Sequence, residues 1–268
     1  MARVFLNLVI SVFFSSALAA DEKSLQLASP LALEAIESRT VSSVIDGDTL
    51  VLDDGREVRL TGIQAPKLPL GRRNFPSWPL ASEAKIALED LTAGQDVNLH
   101  TDGNGQDRYR RVLAHLVRTD GAWLQRKMIG LGLARVYTFS DNRRLANALL
   151  VAEREARKSR VGIWSLKYYA VRSADPSLLA KDYGSFQLIE GTVSDVAQVR
   201  SRIYLNFGED YRTDFTISID RSAWPLFKEV GLDPLSLADQ QVRVRGWVKD
   251  FNGPLVDVSH PEQIEMLP

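Results

Sequence analysis

The chain of 268 residues has no cysteine, only three histidines and three methionines, and no surplus of positive charge, with 33 Lys+Arg against 34 Asp+Glu. Each shortage excludes something. Without cysteine there is no disulfide, no thiolate metal site, no cysteine-ligated iron–sulfur cluster and no cysteine nucleophile. His100, His115 and His260 are too scattered to show a metal-ligand spacing, so each is read as structural. No serine sits in a nucleophile-elbow pattern, so acyl transfer has no support. A net charge of −1 argues against a basic arm or tail as the main means of holding nucleic acid, and any such binding needs a local patch. What remains, 45% hydrophobic and 25% charged residues, is the composition of a globular protein of one large or two small domains.

Apolar runs are also scarce, and the one present is at the start. Met-Ala-Arg precedes a mostly apolar stretch from Val4 to Phe14, and Ala17-Leu18-Ala19-Ala20 follows. This is the layout of a signal peptide, expected to be cut after Ala19 or, failing that, Ala20. The stretch is short of the roughly 20 apolar residues of a membrane span, and no other part of the chain approaches that length. Cleavage after Ala19 removes Arg3 alone among charged residues and leaves 32 basic against 34 acidic side chains. The mature protein, with no membrane span, is then expected in the periplasm or outside the cell.

Residues 20–39 are weakly periodic and read as a leader or a short helix packed on the domain. From Thr40 the texture turns to strand: Thr40–Ile45, Thr49–Leu52 and Glu57–Thr61, separated by Asp46-Gly47 and Asp53-Asp54-Gly55 turn signals. Helical spacing over Leu80–Leu91, strands over Gln95–His100 and Val112–Arg118, a helix over Trp123–Leu131, and a longer one over Asp141–Arg160 capped by Asp141 complete the first unit. Residues 169–184 read as a linker. Beyond it come five strands with a helix, Ala223–Val230, after the third, the pattern of an OB-fold. The fold class is therefore mainly β with helices (α+β): a five-stranded barrel over residues 40–168, then a second OB-like barrel over 185–268. This second part has 8 basic against 13 acidic residues, which argues against nucleic-acid binding of its own and favours a structural or protein-binding role. Tyr204, Phe207, Tyr211 and Trp247 are either a stacking face or core.

Four segments stand out for chemistry: Val44-Ile45-Asp46-Gly47-Asp48-Thr49-Leu50, Val58-Arg59-Leu60-Thr61-Gly62-Ile63-Gln64-Ala65-Pro66, Asp107-Arg108-Tyr109-Arg110-Arg111-Val112, and Gly132-Leu133-Ala134-Arg135-Val136-Tyr137 with Gly162-Ile163-Trp164-Ser165 further on. Their order and spacing resemble the staphylococcal nuclease (thermonuclease) family over about residues 40–165. The resemblance implies a barrel that hydrolyses DNA and RNA phosphodiesters with Ca²⁺ held by two Asp side chains, a Glu that activates water, and two Arg that bind the phosphate. The physics of such a site is general: the cation clamps phosphate oxygens, and guanidinium forks match the charge that grows in the transition state.

Position by position, Asp48 matches the first metal carboxylate, and Arg59 and Arg111 match the two phosphate arginines. Arg110 stands where the family often has Gly. The second metal Asp falls on Gln64, the Thr after it on Ala65, and the Glu on Lys67. One negative charge is lost at Gln64 and two units are shifted at Lys67, so the site moves by +3. Gln64 still offers a carbonyl oxygen as a weak metal ligand, but Ca²⁺ affinity follows the number of charged ligands, and Ca²⁺ is doubtful here. Lys67 at its ordinary pKa accepts no proton near neutrality. Arg59, Lys67, Arg111 and Arg110 instead read as a phosphate-binding set, with Tyr109, Tyr137 and Phe139 as base-stacking candidates, a combination suited to single strands. Asp46 reads as a turn residue. The expected function is an exported nuclease-like protein acting on nucleic acid (DNA or RNA) or another phosphorylated ligand, with Ca²⁺-dependent hydrolysis impaired. Two alternatives stay open: an active metal-dependent endonuclease or phosphodiesterase, and an envelope protein-interaction module with no nucleic-acid role. Whether the chain is an enzyme is left undecided. The loop Lys67–Pro79, stiffened by three prolines and carrying Arg72, Arg73, Phe75 and Trp78, either covers the site or meets a partner.

Overall fold

One long strand opens the first barrel. The computed structural model describes residues 32–268, so the expected signal peptide, 1–19, lies outside them. In chain order the first unit consists of β1 (Glu34–Asp46), β2 (Thr49–Leu52), β3 (Glu57–Leu60), β4 (Ile63–Gln64), α1 (Ala81–Thr92), β5 (Asp96–Thr101), β6 (Val112–Arg118), α2 (Leu124–Gly130), β7 (Arg135–Val136) and α3 (Ala146–Lys158). β1, β2, β3, β6 and β5 close into a barrel in that order, because the two halves of β1 pair with different neighbours. Glu34 to Thr40 run against β5, and Val41 to Asp46 run against β2.

This corrects the reading of residues 20–39 as a leader, since 34–39 are barrel strand. Their side chains are mostly exposed, so no apolar alternation marks them; backbone pairing with β5 makes them a strand. The barrel interior is filled by Leu50, Val58, Leu60, Val97, Leu99, Ala114 and Leu116, all fully buried. α1 lays Ala84 and Leu88 against it, α2 Leu124 and Met128, and α3 Leu149. α3 begins five residues later than its periodicity predicts. Asp141 does not cap it; its carboxylate accepts from Asn104 Nδ2, and Asp102 takes the Arg144 N–H at 2.8 Å. Residues 138–145 therefore form a hydrogen-bonded connection and not a helical turn.

The second unit contains β8 (Arg172–Ser173), α4 (Pro176–Leu179), β9 (Phe186–Thr192), β10 (Asp195–Val199), β11 (Arg202–Asn206), β12 (Thr216–Asp220), α5 (Trp224–Glu229), β13 (Gln241–Asp250), β14 (Pro254–Val258) and β15 (Ile264–Met266). Its curled sheet runs β10-β11-β12-β14-β13-β9-β8, with β15 on β13. The parallel β12–β14 pair repeats the parallel β3–β6 pair of the first barrel, so both halves have the OB connectivity. The stretch read as a linker is folded. Arg172 pairs with Asp182 at 3.0 Å, Asp175 caps α4 through the Ser177 N–H, and buried Tyr169 donates its hydroxyl to Pro79 O at 2.9 Å.

A buried ionic knot joins the barrels. Arg245 of β13, only 1% exposed, bonds Glu153 of α3 at 3.0 and 3.1 Å, Glu265 of β15, and the Val136 carbonyl at 3.3 Å. Glu153 in turn accepts the Val136 N–H at 2.6 Å. Arg157 reaches Glu265 at 3.0 Å, Arg143 reaches Glu262 at 2.6 Å, and Thr138 Oγ1 lies 2.8 Å from His260 Nε2. Burying these charges is tolerable because each has a partner across the joint. Among the described residues no helix is long and apolar enough to cross a membrane.

Candidate active site

The Asp46-Gly47-Asp48 turn is pressed onto the barrel. A Cβ on Gly47 would stand 2.6 Å from Ala84 Cβ of α1 and 2.7 Å from Ala65 Cβ, so only glycine allows the approach. The turn sends Asp48 inward, where it is fully buried. Its Oδ2 accepts the Ala65 N–H at 2.7 Å, and Arg59 Nη2 lies 3.3 Å from the same oxygen. Lys67 completes the shell: its Nζ donates to Asp48 Oδ1 at 2.6 Å and Oδ2 at 2.7 Å, and stands 3.3 Å from Asp46 Oδ2. Asp46 has two roles, since its Oδ1 also accepts the Asp48 N–H at 3.1 Å as a turn residue does.

The two carboxylates respond oppositely. Burial pushes Asp46 up from the ordinary carboxylate value and the Asp48 charge adds to this, against the pull of Lys67. Burial would raise Asp48 too, but Arg59 and Lys67 together overcome it and hold Asp48 well below the usual range.

This donor set does not fit a divalent cation. The position facing both oxygens of Asp48 and one of Asp46 is taken by an ammonium that the chain itself supplies. Gln64, the expected weak metal ligand, is turned away: its Oε1 accepts from Arg135 Nε at 3.0 Å and Nη2 at 2.7 Å across the β4–β7 pair. Among the described residues no group of three or more acidic or histidine side chains converges.

Beside this cluster lies a cleft of about 580 Å³, lined among others by Arg59, Arg108, Tyr109, Arg111, Tyr137, Phe139, Asn142 and Trp247. Arg59 links the two. It borders the cleft, yet its guanidinium donates to the carbonyls of Leu60 at 2.8 Å, Ile63 at 2.6 Å and Asp48 at 3.2 Å. Arg111 is held by Asp107, with Nε–Oδ2 at 2.8 Å and Nη2–Oδ2 at 2.7 Å, while Asp107 Oδ1 accepts the Arg111 N–H at 3.0 Å. Burial works to raise Asp107, but the Arg111 hydrogen bonds outweigh it and keep the carboxyl below its ordinary value. Asp107 therefore orients Arg111 and is not a second metal carboxylate.

The expected set is only partly brought together. Arg59, Arg111, Tyr109, Tyr137 and Phe139 share the cleft. Lys67 does not line it, because its charge is directed at Asp46 and Asp48; this corrects its expected place among the phosphate ligands. Arg110 is also outside the lining. It is exposed and sits at φ 66°, the left-handed backbone that explains the family's Gly there. Arg72 folds onto its own loop, with its guanidinium 3.6 Å from the Phe75 ring centroid. Sequence reasoning missed Asn142, and it named Trp247 only as part of the second barrel. No local signal in β13 tells that its ring faces the first barrel.

Comparison with known proteins agrees with this geometry. Residues 57–166 match the family model described as Staphylococcal nuclease homologue. A thermonuclease of Staphylococcus intermedius is 32% identical over 136 residues, 48% of this chain and 76% of that protein. An uncharacterised endonuclease of Escherichia coli is 28% identical over 166 residues, 61% of this chain and 90% of that protein. The barrel topology, the four motifs and these relatives agree: the chain belongs to the staphylococcal nuclease family.

Proposed function

We propose that this exported chain binds nucleic acid through a phosphate held at Arg111 and Arg59, and that Ca²⁺-dependent hydrolysis is suppressed. The observation that carries the reading is Lys67 Nζ lying 2.6 and 2.7 Å from the two oxygens of Asp48. A cation that has to displace a covalently tethered ammonium starts at a disadvantage, and it gains no second carboxylate from Gln64. The nuclease names of the relatives support the substrate class. The departures at Gln64 and Lys67 support the loss of the metal route.

The test is a cleavage and binding assay on plasmid and single-stranded DNA, with Ca²⁺ or with chelator. The expected outcome is binding that survives chelator, falls at least about tenfold in Arg111→Ala and weakens with salt by roughly 0.7 log units per decade for each phosphate contacted, with no Ca²⁺-dependent cleavage. Robust Ca²⁺-dependent cleavage abolished by Arg59→Ala would sink the proposal. A second reading, an active phosphodiesterase, draws on Asp46 Oδ2 standing beside Asp48 in reach of the same amine. Cleavage with Mg²⁺, Mn²⁺ or Zn²⁺ in the same assay would favour it.

A further inference from the structure

The cleft is not built by the nuclease barrel alone. Trp247 belongs to β13 of the second barrel, outside the residues matched by the family model, yet it lines the same cleft as Arg59 and Arg111. Trp247 is 42% exposed, an unusual state for a tryptophan, and Phe139 and Tyr109 in the same cleft are 51% and 64% exposed. The ring is nonetheless held in place. Trp247 Nε1 donates to the Tyr137 hydroxyl at 3.1 Å, and Phe186 meets its ring edge-on, with centroids 6.4 Å apart and planes at 75°. Tyr137 is itself braced edge-on by Phe139 at 5.1 Å and Phe186 at 5.0 Å.

The strand period explains how this ring reaches the first barrel. Residues two apart on a strand share a face, and two positions before Trp247 stands Arg245, locked into Glu153 of α3 and the Val136 carbonyl. The buried ionic knot therefore sets that face of β13 against the nuclease barrel and delivers Trp247 to the cleft edge. An exposed, braced aromatic beside arginines is the arrangement that holds an unpaired base next to its phosphate. A duplex hides its base faces in the stack. A cleft of this volume also fits a ligand of nucleotide size.

We propose that Trp247 is a base-stacking residue and that the ligand of the cleft is single-stranded nucleic acid spanning both barrels. The inference rests on the reading of the cleft as a phosphodiester site. It also accounts for the acidic balance of the second barrel, which contributes one ring to a shared site and needs no basic groove of its own.

The test compares an oligothymidylate with an abasic strand of equal length, using the full chain and its Trp247→Ala, Trp247→Phe and Arg111→Ala variants, each checked for folding by circular dichroism. Trp247→Ala is expected to weaken oligothymidylate binding about 5- to 150-fold, the effect of one lost stacked base, and to leave the abasic strand unchanged. Trp247→Phe keeps a stacking ring and is expected within about threefold of the unmodified protein; if the alanine variant fails to fold, Trp247→Leu, which keeps apolar bulk without an aromatic face, is the probe, and it is expected to show the same loss on oligothymidylate alone, unchanged binding overturning the stacking role. Arg111→Ala should weaken both strands. If Trp247→Ala binds oligothymidylate like the unmodified protein while Arg111→Ala loses it, the stacking role is overturned and the phosphate site stands. If the unmodified protein binds neither strand, the phosphate reading itself fails.

Discussion

At the scale of single residues, Lys67 balances the charge of the Asp46–Asp48 pair. It stabilises two adjacent buried carboxylates that otherwise repel each other, and it does so with a charge that repels divalent cations. Lys67→Ala leaves Asp46 and Asp48 with Arg59 as their remaining counter-charge. Breaking a buried pair typically costs about 3–5 kcal/mol, so the variant should unfold at a markedly lower temperature. Millimolar Ca²⁺ should then raise the melting temperature of the variant while leaving the unmodified protein unmoved, a result that differential scanning calorimetry reads directly. Equal Ca²⁺ responses would show that Lys67 does not stand in for the ion. The departures at 64 and 67 were legible from the motif. The destinations of the side chains were not: Gln64 turns to Arg135, and Lys67 to Asp48 rather than to the cleft, because burial and pairing of charge depend on residues far apart in the chain.

At the scale of elements, the Asp-Gly-Asp turn is a packing device as much as a turn. Its glycine is required by the approach of α1 and Ala65, and not by a left-handed backbone. Gly47→Ala is expected to destabilise the fold by about 1–3 kcal/mol, the usual effect of overpacking a close-fitting interior, measured by urea unfolding. A change below about 0.5 kcal/mol would mean that α1 yields readily. The strands with apolar alternation and the helices with a clear stripe were legible within a few residues. Three kinds of element were not. The first half of β1 is exposed on most positions, β10 continues β9 after a break at Val193-Ser194, and α3 starts late because Asp102 and Asn104 from another connection satisfy the residues before it.

At the scale of the whole molecule, the joint between barrels and the interior of the first barrel share the pH dependence. His260 lies in it, and burial, reinforced by Arg143 and Arg245, holds its imidazole down to about 4 from 6.5. In the first barrel, burial with the His100 charge holds His115 down to about 3, and neither ring nitrogen of His115 has a partner. Both are neutral in the folded protein while the unfolded chain takes a proton near 6.5. Stability is therefore full above about pH 6.5 and falls with pH down to the folded values, by up to about 1.4 kcal/mol per pH unit for each histidine. Glu265 adds a loss at lower pH: burial would raise it, but Arg245, Arg157 and Arg243 hold it at about 2, so its contribution disappears between about 4.5 and 2. Urea unfolding at pH 7, 5.5 and 4.5 should show this slope, and His115→Phe, which loses no hydrogen bond, should roughly halve it. An unchanged slope would place the proton uptake elsewhere.

The family, the barrel strands with alternating residues, the two arginines, and Gln64 and Lys67 in place of the family's Asp and Glu can be read from the chain alone, because these are properties of residue type and spacing. The tertiary structure alone decided that Lys67 neutralises the Asp pair, that Asp46 joins it, and that Trp247 enters the cleft. Those outcomes depend on which charges are buried together. That in turn depends on how β13 is clamped onto α3 by Arg245 and Glu153, a contact between residues 92 positions apart that no local pattern encodes.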